Sequence, residues 1–283
     1  MRVPDGIEEL SVSVDDVPLG PYPPLGFLPV AEAALGNGDY YGLYWPIGRE
    51  NQSPVVCDMF HDEHALKPCF SSVERFIEWL KVSEWERGDN EIADEMSPAL
   101  LFAEARVCYS GSDVKGAVEL LKKACDVLPE VSEYWHALST QAKRLSEVEL
   151  SAQSALNALN SNWVFGLPSQ GVIRMLRSPS VREAIPNDPL IQRIDELELG
   201  FGGVKENPAY SVIYECVQEY FKREQFIEGL VLYQNYAYMM YSETLSFQER
   251  HDFNLQDWQS EYTGLCLQYL GDNRTISDQM VMA

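Results

Sequence analysis

Long apolar runs are missing from this chain. No stretch approaches 18 uninterrupted apolar residues, so no membrane span is expected. Basic residues are scarce: 21 Lys and Arg stand against 44 Asp and Glu, a formal net charge of −23. A field of that sign repels phosphate backbones and anionic membrane surfaces, which argues against direct DNA or RNA binding. The six cysteines, Cys57, Cys69, Cys108, Cys125, Cys216 and Cys266, show no C-x-x-C spacing, and free buried thiols are expected. Met1-Arg2-Val3-Pro4-Asp5-Gly6, followed by Glu8-Glu9, lacks the basic end and apolar run of an export signal, so a cytoplasmic location is expected. No phosphate-binding G-x-x-x-x-G-K-[ST], no G-x-G-x-x-G, no G-x-S-x-G and no H-E-x-x-H occurs. What is present suits a globular protein: 283 residues, 46% of them hydrophobic, enough for one large domain or two small ones.

Composition changes near residue 97. Before it the chain is rich in Gly, Pro, Asp and aromatics, with proline-bearing stretches at Val17–Pro24 and Trp45-Pro46 that oppose long helices. Two runs predict strands, Tyr40–Trp45 and Val55–Phe60, joined by a loop over Gly48–Pro54. Alternation places Tyr41, Leu43 and Trp45 on one face and Tyr40, Gly42 and Tyr44 on the other. Ser72 predicts a helix cap, and Val73, Phe76, Ile77 and Leu80 then mark one apolar face. An acidic linker spans Ser83 to Ser97. The predicted fold is α+β: a small antiparallel sheet domain over 1–97, then an all-α region over 98–283.

The helical region carries a 34-residue period. Leu101, Ala105, Ala117, Leu121, Ala124 and Pro129 become Trp135, Ser139, Ser151, Ala155, Ala158 and Trp163 in the second copy. Small residues at matched positions let paired helices approach closely. Over 98–165 this resembles the tetratricopeptide repeat, a helix–turn–helix unit that stacks into a superhelix. The resemblance implies a groove lined by Phe102, Arg106, Tyr109, Glu133, His136 and Lys143. Further on, short helices are predicted at Ser178-Pro179 and Asp188-Pro189. Longer ones follow at Tyr210–Arg223, Glu224–Met240 and Asn254–Leu270.

Ala34–Leu43 contains Gly36-Asn37-Gly38-Asp39, whose glycines can take positive φ and whose Asp39 can cap a turn. Pro54-Val55-Val56, His61-Asp62 and Phe70–Leu80 follow. In order and spacing, residues 25–82 resemble the SUKH superfamily, the Smi/Knr-type domain. The front is short for that family, so the sheet unit is expected to lean on the helical part to complete its core. The resemblance implies an immunity protein that binds and neutralises a cognate bacterial toxin, often a nuclease, by forming a stoichiometric complex.

Candidate chemistry is thin. His61-Asp62-Glu63-His64, with Asp58 upstream, offers metal-ligand types, but a solvated turn entering a helix is the expectation. Cys57 and Cys69 near His61 and His64 suggest a nucleophile in sequence only. Tyr233, Tyr236, Tyr238 and Tyr241 are read as core, with a binding face as the alternative. No catalytic residue, metal or cofactor is assigned. Residues 1–97 hold 19 acids and 6 bases, a net −13, against 25 and 15, a net −10, for the rest. That excess suits a basic protein partner, with Asp39, Asp62, Glu63, Glu84, Glu86, Asp89, Glu91, Asp94 and Glu95 as contacts. A regulatory adaptor of tetratricopeptide type, binding protein partners, is the alternative.

Overall fold

In a computed structural model the described residues are 20–32, 38–83, 94–201 and 207–271. Strands β1 (Phe27–Glu32), β2 (Tyr40–Tyr44), β3 (Val55–Phe60) and β4 (Ala65–Phe70) form an antiparallel meander in sequence order. The sequence indicated β2 and β3 but not their neighbours. Both missed strands carry a proline, Pro29 and Pro68, and both are sheet edges, where a missing N–H does least harm. A register shift falls beside Pro29. Gly42 faces Phe27 so closely that a Cβ there would lie 2.2 Å from its ring.

The predicted alternation holds. Tyr41, Leu43 and Trp45 pack with Phe76, Trp79 and Leu80 of helix α1 (Val73–Ser83) in one buried cluster. The Ser72 hydroxyl accepts from the Arg75 amide at 3.4 Å at the start of that helix. The opposite face, with Phe27, Tyr44, Val55, Cys57, Met59 and Leu66, joins a second cluster. Its other half comes from α2 (Pro98–Ser110), α3 (Val114–Val127) and α4 (Ser132–Arg144), through Leu101, Leu121, Ala124 and Tyr134. The apolar core therefore runs across residue 97.

Helices α2 and α3 form one hairpin, and α4 and α5 (Val148–Leu159) the next. The 34-residue period is visible in the backbone. Ser112 and Ser146, one period apart, both sit at positive φ, 71° and 62°. The following N–H bonds the carbonyl five residues back, Asp113 to Cys108 at 2.9 Å and Glu147 to Ala142 at 3.0 Å. Where the first hairpin buries Ala105 and Ala117, the second buries Ser139 and Ser151. Each of these hydroxyls donates to the other's backbone carbonyl, at 2.6 and 2.9 Å, so polar residues replace alanine without an orphaned donor.

A short helical stretch follows: α6 (Gln170–Leu176), α7 (Pro179–Ala184) and α8 (Pro189–Gln192). Then α9 (Ala209–Lys222) and α10 (Phe226–Tyr241) make a third hairpin with the same turn. Glu224 has φ 60°, and Gln225 N–H bonds Tyr220 O at 3.0 Å. Gly229, five residues past the turn residue, corresponds to Ala117 and Ser151. Two helices end the described chain, α11 (Leu245–Arg250) and α12 (Leu255–Leu270). α10 is buried along most of its length, as its apolar sequence predicts. Residues ahead of β1 rest on this end: Gln234 donates to Pro21 O at 2.9 Å and Gln259 to Gly20 O at 2.6 Å. Among the described residues, no helix is long and apolar enough to cross a membrane.

Candidate functional site

Three parts of the chain meet at one buried carboxylate. Glu130, between α3 and α4, is 4% exposed. One of its oxygens accepts from the Ile47 amide at 2.6 Å; the other accepts from the Tyr44 hydroxyl and from Asn162 Nδ2 at 3.1 Å. Tyr44 ends β2, and Asn162 follows α5. The chain of bonds continues to α10: Asn235 Oδ1 accepts from the Trp163 amide at 2.9 Å, and its Nδ2 donates to Ser161 O at 2.7 Å. A buried charge this well donated to is held in place, and it fixes sheet, hairpins and C-terminal helices against one another.

A cleft of about 610 Å³ opens beside this network. Its lining includes Ile47, Glu130 and Trp135 together with Ile185, Asp188, Tyr220 and Arg223. Five carboxamides face it, Gln153, Asn157, Asn160, Asn187 and Gln225, among the apolar Leu156, Ile227 and Val231. Asn160 Nδ2 donates to Glu228 O at 3.3 Å, while its buried Oδ1 meets no donor among the described residues. Asp188 accepts from the Tyr220 hydroxyl at 2.9 Å and from the Leu190 and Ile191 amides at 2.9 and 3.3 Å. Burial raises its pKa despite those bonds. Arg223 donates to Asn187 O and, at 2.8 Å, to Glu219. The wall thus combines uncharged groups that both donate and accept with apolar surface, which suits amide-bearing ligands.

The sequence-predicted contacts are scattered. Glu84, Glu86, Asp89 and Glu91 lie outside the described residues. Asp62, Glu63 and Glu95 are exposed, with Glu63 paired to Lys67 at 2.8 Å. Asp39 and Asp94, expected on a contact surface, are instead buried and bonded within the chain. Asp39 accepts from His61 N–H at 3.1 Å and from its Nδ1 at 2.8 Å, and Asp94 accepts from Ser71 N–H at 2.7 Å and Ser71 Oγ at 2.8 Å. In the helical groove set, Arg106, Glu133 and Lys143 are exposed and Tyr109 is half-buried. Phe102 is buried, 4.9 Å from the Tyr134 ring. His136 is covered by the start of α6, its Nδ1 lying 3.2 Å from Ser169 Oγ.

His61–His64 forms the β3–β4 turn and enters a strand, not the expected helix. Its His64 carbonyl accepts from Tyr238 at 2.7 Å, which ties the sheet to α10. Asp39, His61 and Asp62 bring potential metal-ligand atoms within 4.8 Å of one another, but His61 Nδ1 is already engaged by Asp39. The cysteines are free, as expected, but Cys69 and Cys108 are only partly buried; burial pushes the Cys57 thiol well up, which makes it a poor nucleophile. Sequence reasoning missed Tyr44, Glu130, Asn160 and Asn162. The available signal was an acid set between apolar residues, Leu128-Pro129-Glu130-Val131.

Comparison with known proteins places this architecture. Residues 12–90 match the YfbP N-terminal domain and residues 200–277 the YfbP C-terminal domain. A relative from Escherichia coli (strain K12), "Uncharacterized protein YfbP", is 45% identical over 271 residues, covering 94% of this chain and 96% of its own length. This chain belongs to the YfbP family. The SUKH resemblance is thereby corrected, since the segment that carried it falls inside the YfbP N-terminal match. A glycine turn, a hairpin and a Ser-capped amphipathic helix are general solutions to packing a helix on a sheet, and their order alone misled. The YfbP matches cover residues 12–90 and 200–277, and the period-34 hairpins lie between them.

Proposed function

We propose that this YfbP-family chain is a tetratricopeptide-type adaptor that binds a polypeptide segment of a partner protein and catalyses nothing. The cleft beside Glu130 carries this reading. Its carboxamides supply donors and acceptors of the kind a peptide backbone pairs with, Gln153 and Asn157 bonding each other at 2.9 Å in the free protein. Leu156, Ile227 and Val231 supply apolar contact for side chains. The charge of −23 favours a basic partner and speeds its association at low salt. The immunity expectation loses the resemblance that gave it a toxin as partner; its electrostatic part carries over to any basic protein.

Site-specific photo-crosslinking in cells tests this. A crosslinker at Gln153 or Ile227 should trap one partner that the same group at exposed Lys122 does not. A peptide from that partner should bind about 10-fold or more weakly to Asn157→Ala/Asn160→Ala, the size expected from losing one or two buried hydrogen bonds. Failure to trap a partner from the cleft, or a peptide indifferent to those substitutions, overturns the reading.

A further inference from the structure

A second cleft, of about 520 Å³, lies between α9, α10 and the start of α12. It shares no lining residue with the first. Aromatic rings dominate its wall. Tyr214 and Tyr236 are 5.4 Å apart between centroids, Tyr214 and Tyr233 6.1 Å, Tyr236 and Phe253 6.1 Å, and Tyr233 and Trp258 5.8 Å. Four carboxylates, Glu215, Asp252, Asp257 and Glu261, line the same space, and no lysine or arginine among the described residues does. Glu215 pairs with Arg193, and Glu261 accepts from the Tyr233 hydroxyl at 2.9 Å. Asp252 and Asp257 are exposed.

Each feature alone has an ordinary explanation: tyrosines fill cores, and acids cover surfaces. Their coincidence in one concavity does not. A ring face attracts a cation through its quadrupole, and nearby carboxylates add a counter-charge. Burial pushes the Tyr236 phenol up to about 12, so this ring stays neutral at physiological pH. Trp258, only 3% exposed, packs its ring into the same wall, 5.8 Å from that of Tyr233.

We propose that this cleft binds an organic cation, a quaternary ammonium or guanidinium head group. Tyr214, 38% exposed, offers the cation its accessible ring with Tyr233 and Tyr236 packed against it, and Asp252, Asp257 and Glu261 balance the charge. The site stands apart from the peptide-binding reading and holds if that reading fails. Calorimetric titration of the full chain with three probes tests it: choline, N-acetyl-arginine amide, and 3,3-dimethylbutan-1-ol, the neutral counterpart of choline. At least one cation should saturate the protein, and the neutral alcohol should bind about 10-fold or more weakly than choline where choline binds. Saturation by choline points to a free quaternary ammonium compound as the source, and saturation by the arginine probe alone points to a side chain of a bound polypeptide. Tyr214→Ala, at a 38% exposed position, should weaken the cation about 3- to 30-fold. Asp252→Asn/Asp257→Asn should weaken it further and flatten its salt dependence. The proposal is overturned if neither cation binds, if the neutral alcohol matches choline, or if both variants, folded by circular dichroism, bind as the parent does.

Discussion

At Glu130 the chain commits a buried carboxylate to three donors from three different segments. Such a group stabilises only while every partner is present. Glu130→Ala leaves the Ile47 amide and the Asn162 amide without this acceptor inside the protein, and should cost about 3–5 kcal/mol in urea unfolding. Glu130→Gln keeps the volume but turns one acceptor into a donor facing other donors, so it should fall between parent and alanine. A cost near zero for alanine would mean that the network is open to water. His136 is a second informative residue. Burial, more than any charge, lowers its pKa below the ordinary imidazole value of 6.5. The unfolded chain takes up a proton near that value while the folded chain resists it to lower pH. The unfolded state therefore binds more protons in that window, and stability falls as pH drops through it. His136→Gln should flatten the dependence of the urea midpoint between about pH 7.5 and 5.5. Equal slopes in variant and parent would remove His136 from this role.

The helix hairpins show what sequence patterns can and cannot reveal. The 34-residue spacing was legible because small residues recur where helices touch, and Ala105/Ala117 and Ser139/Ser151 carry it. The third hairpin was not legible as a relative of the first two, because Tyr233 and Tyr236 stand where Leu121 and Ala124, then Ala155 and Ala158, stood. Turn geometry connects all three, and it is written in Ser112, Ser146 and Glu224, residues that give no hint of positive φ. The edge strands were hidden for a related reason: Pro29 and Pro68 argue against a strand except at an edge, and edge position is a property of the whole sheet. A left-handed conformation costs a non-glycine residue about 1 kcal/mol, so Ser146→Gly should raise stability by roughly 0.5–1 kcal/mol. Ser146→Val, β-branched at the same φ, should lower it by more than that gain. Thermal melts of the pair check both signs; a destabilising glycine would show that the serine side chain, and not the turn, sets the energy.

For the molecule as a whole, the change of composition near residue 97 is a poor guide to where folding units end. Local patterns report which face of a strand is apolar; they do not report what covers it. Tyr40 and Tyr44 were placed opposite Tyr41 and Leu43 by alternation alone, yet only the structure shows that Tyr44 and Phe27 share a cluster with Leu101, Leu121 and Tyr134. The same limit hid the candidate cleft, whose wall draws on segments from Ile47 to Val231. A cluster crossing residue 97 ties the two parts together thermodynamically. Cutting there would expose Phe27, Val55, Met59 and Leu66 on one piece and Leu101, Leu121 and Tyr134 on the other, and would leave Glu130 without Tyr44 and Ile47. Burying an aliphatic or aromatic side chain contributes about 1.5–3 kcal/mol, so losing several exceeds the net stability of an ordinary domain. The full chain should therefore unfold in one transition, with tryptophan fluorescence and far-ultraviolet circular dichroism tracing the same curve. Residues 98–283 alone should be markedly less stable or aggregate, and adding residues 1–97 in trans should rescue them in part. Two separate transitions in the full chain, or an isolated 98–283 segment as stable as the parent, would show that the shared cluster adds little and that each part stands on its own core.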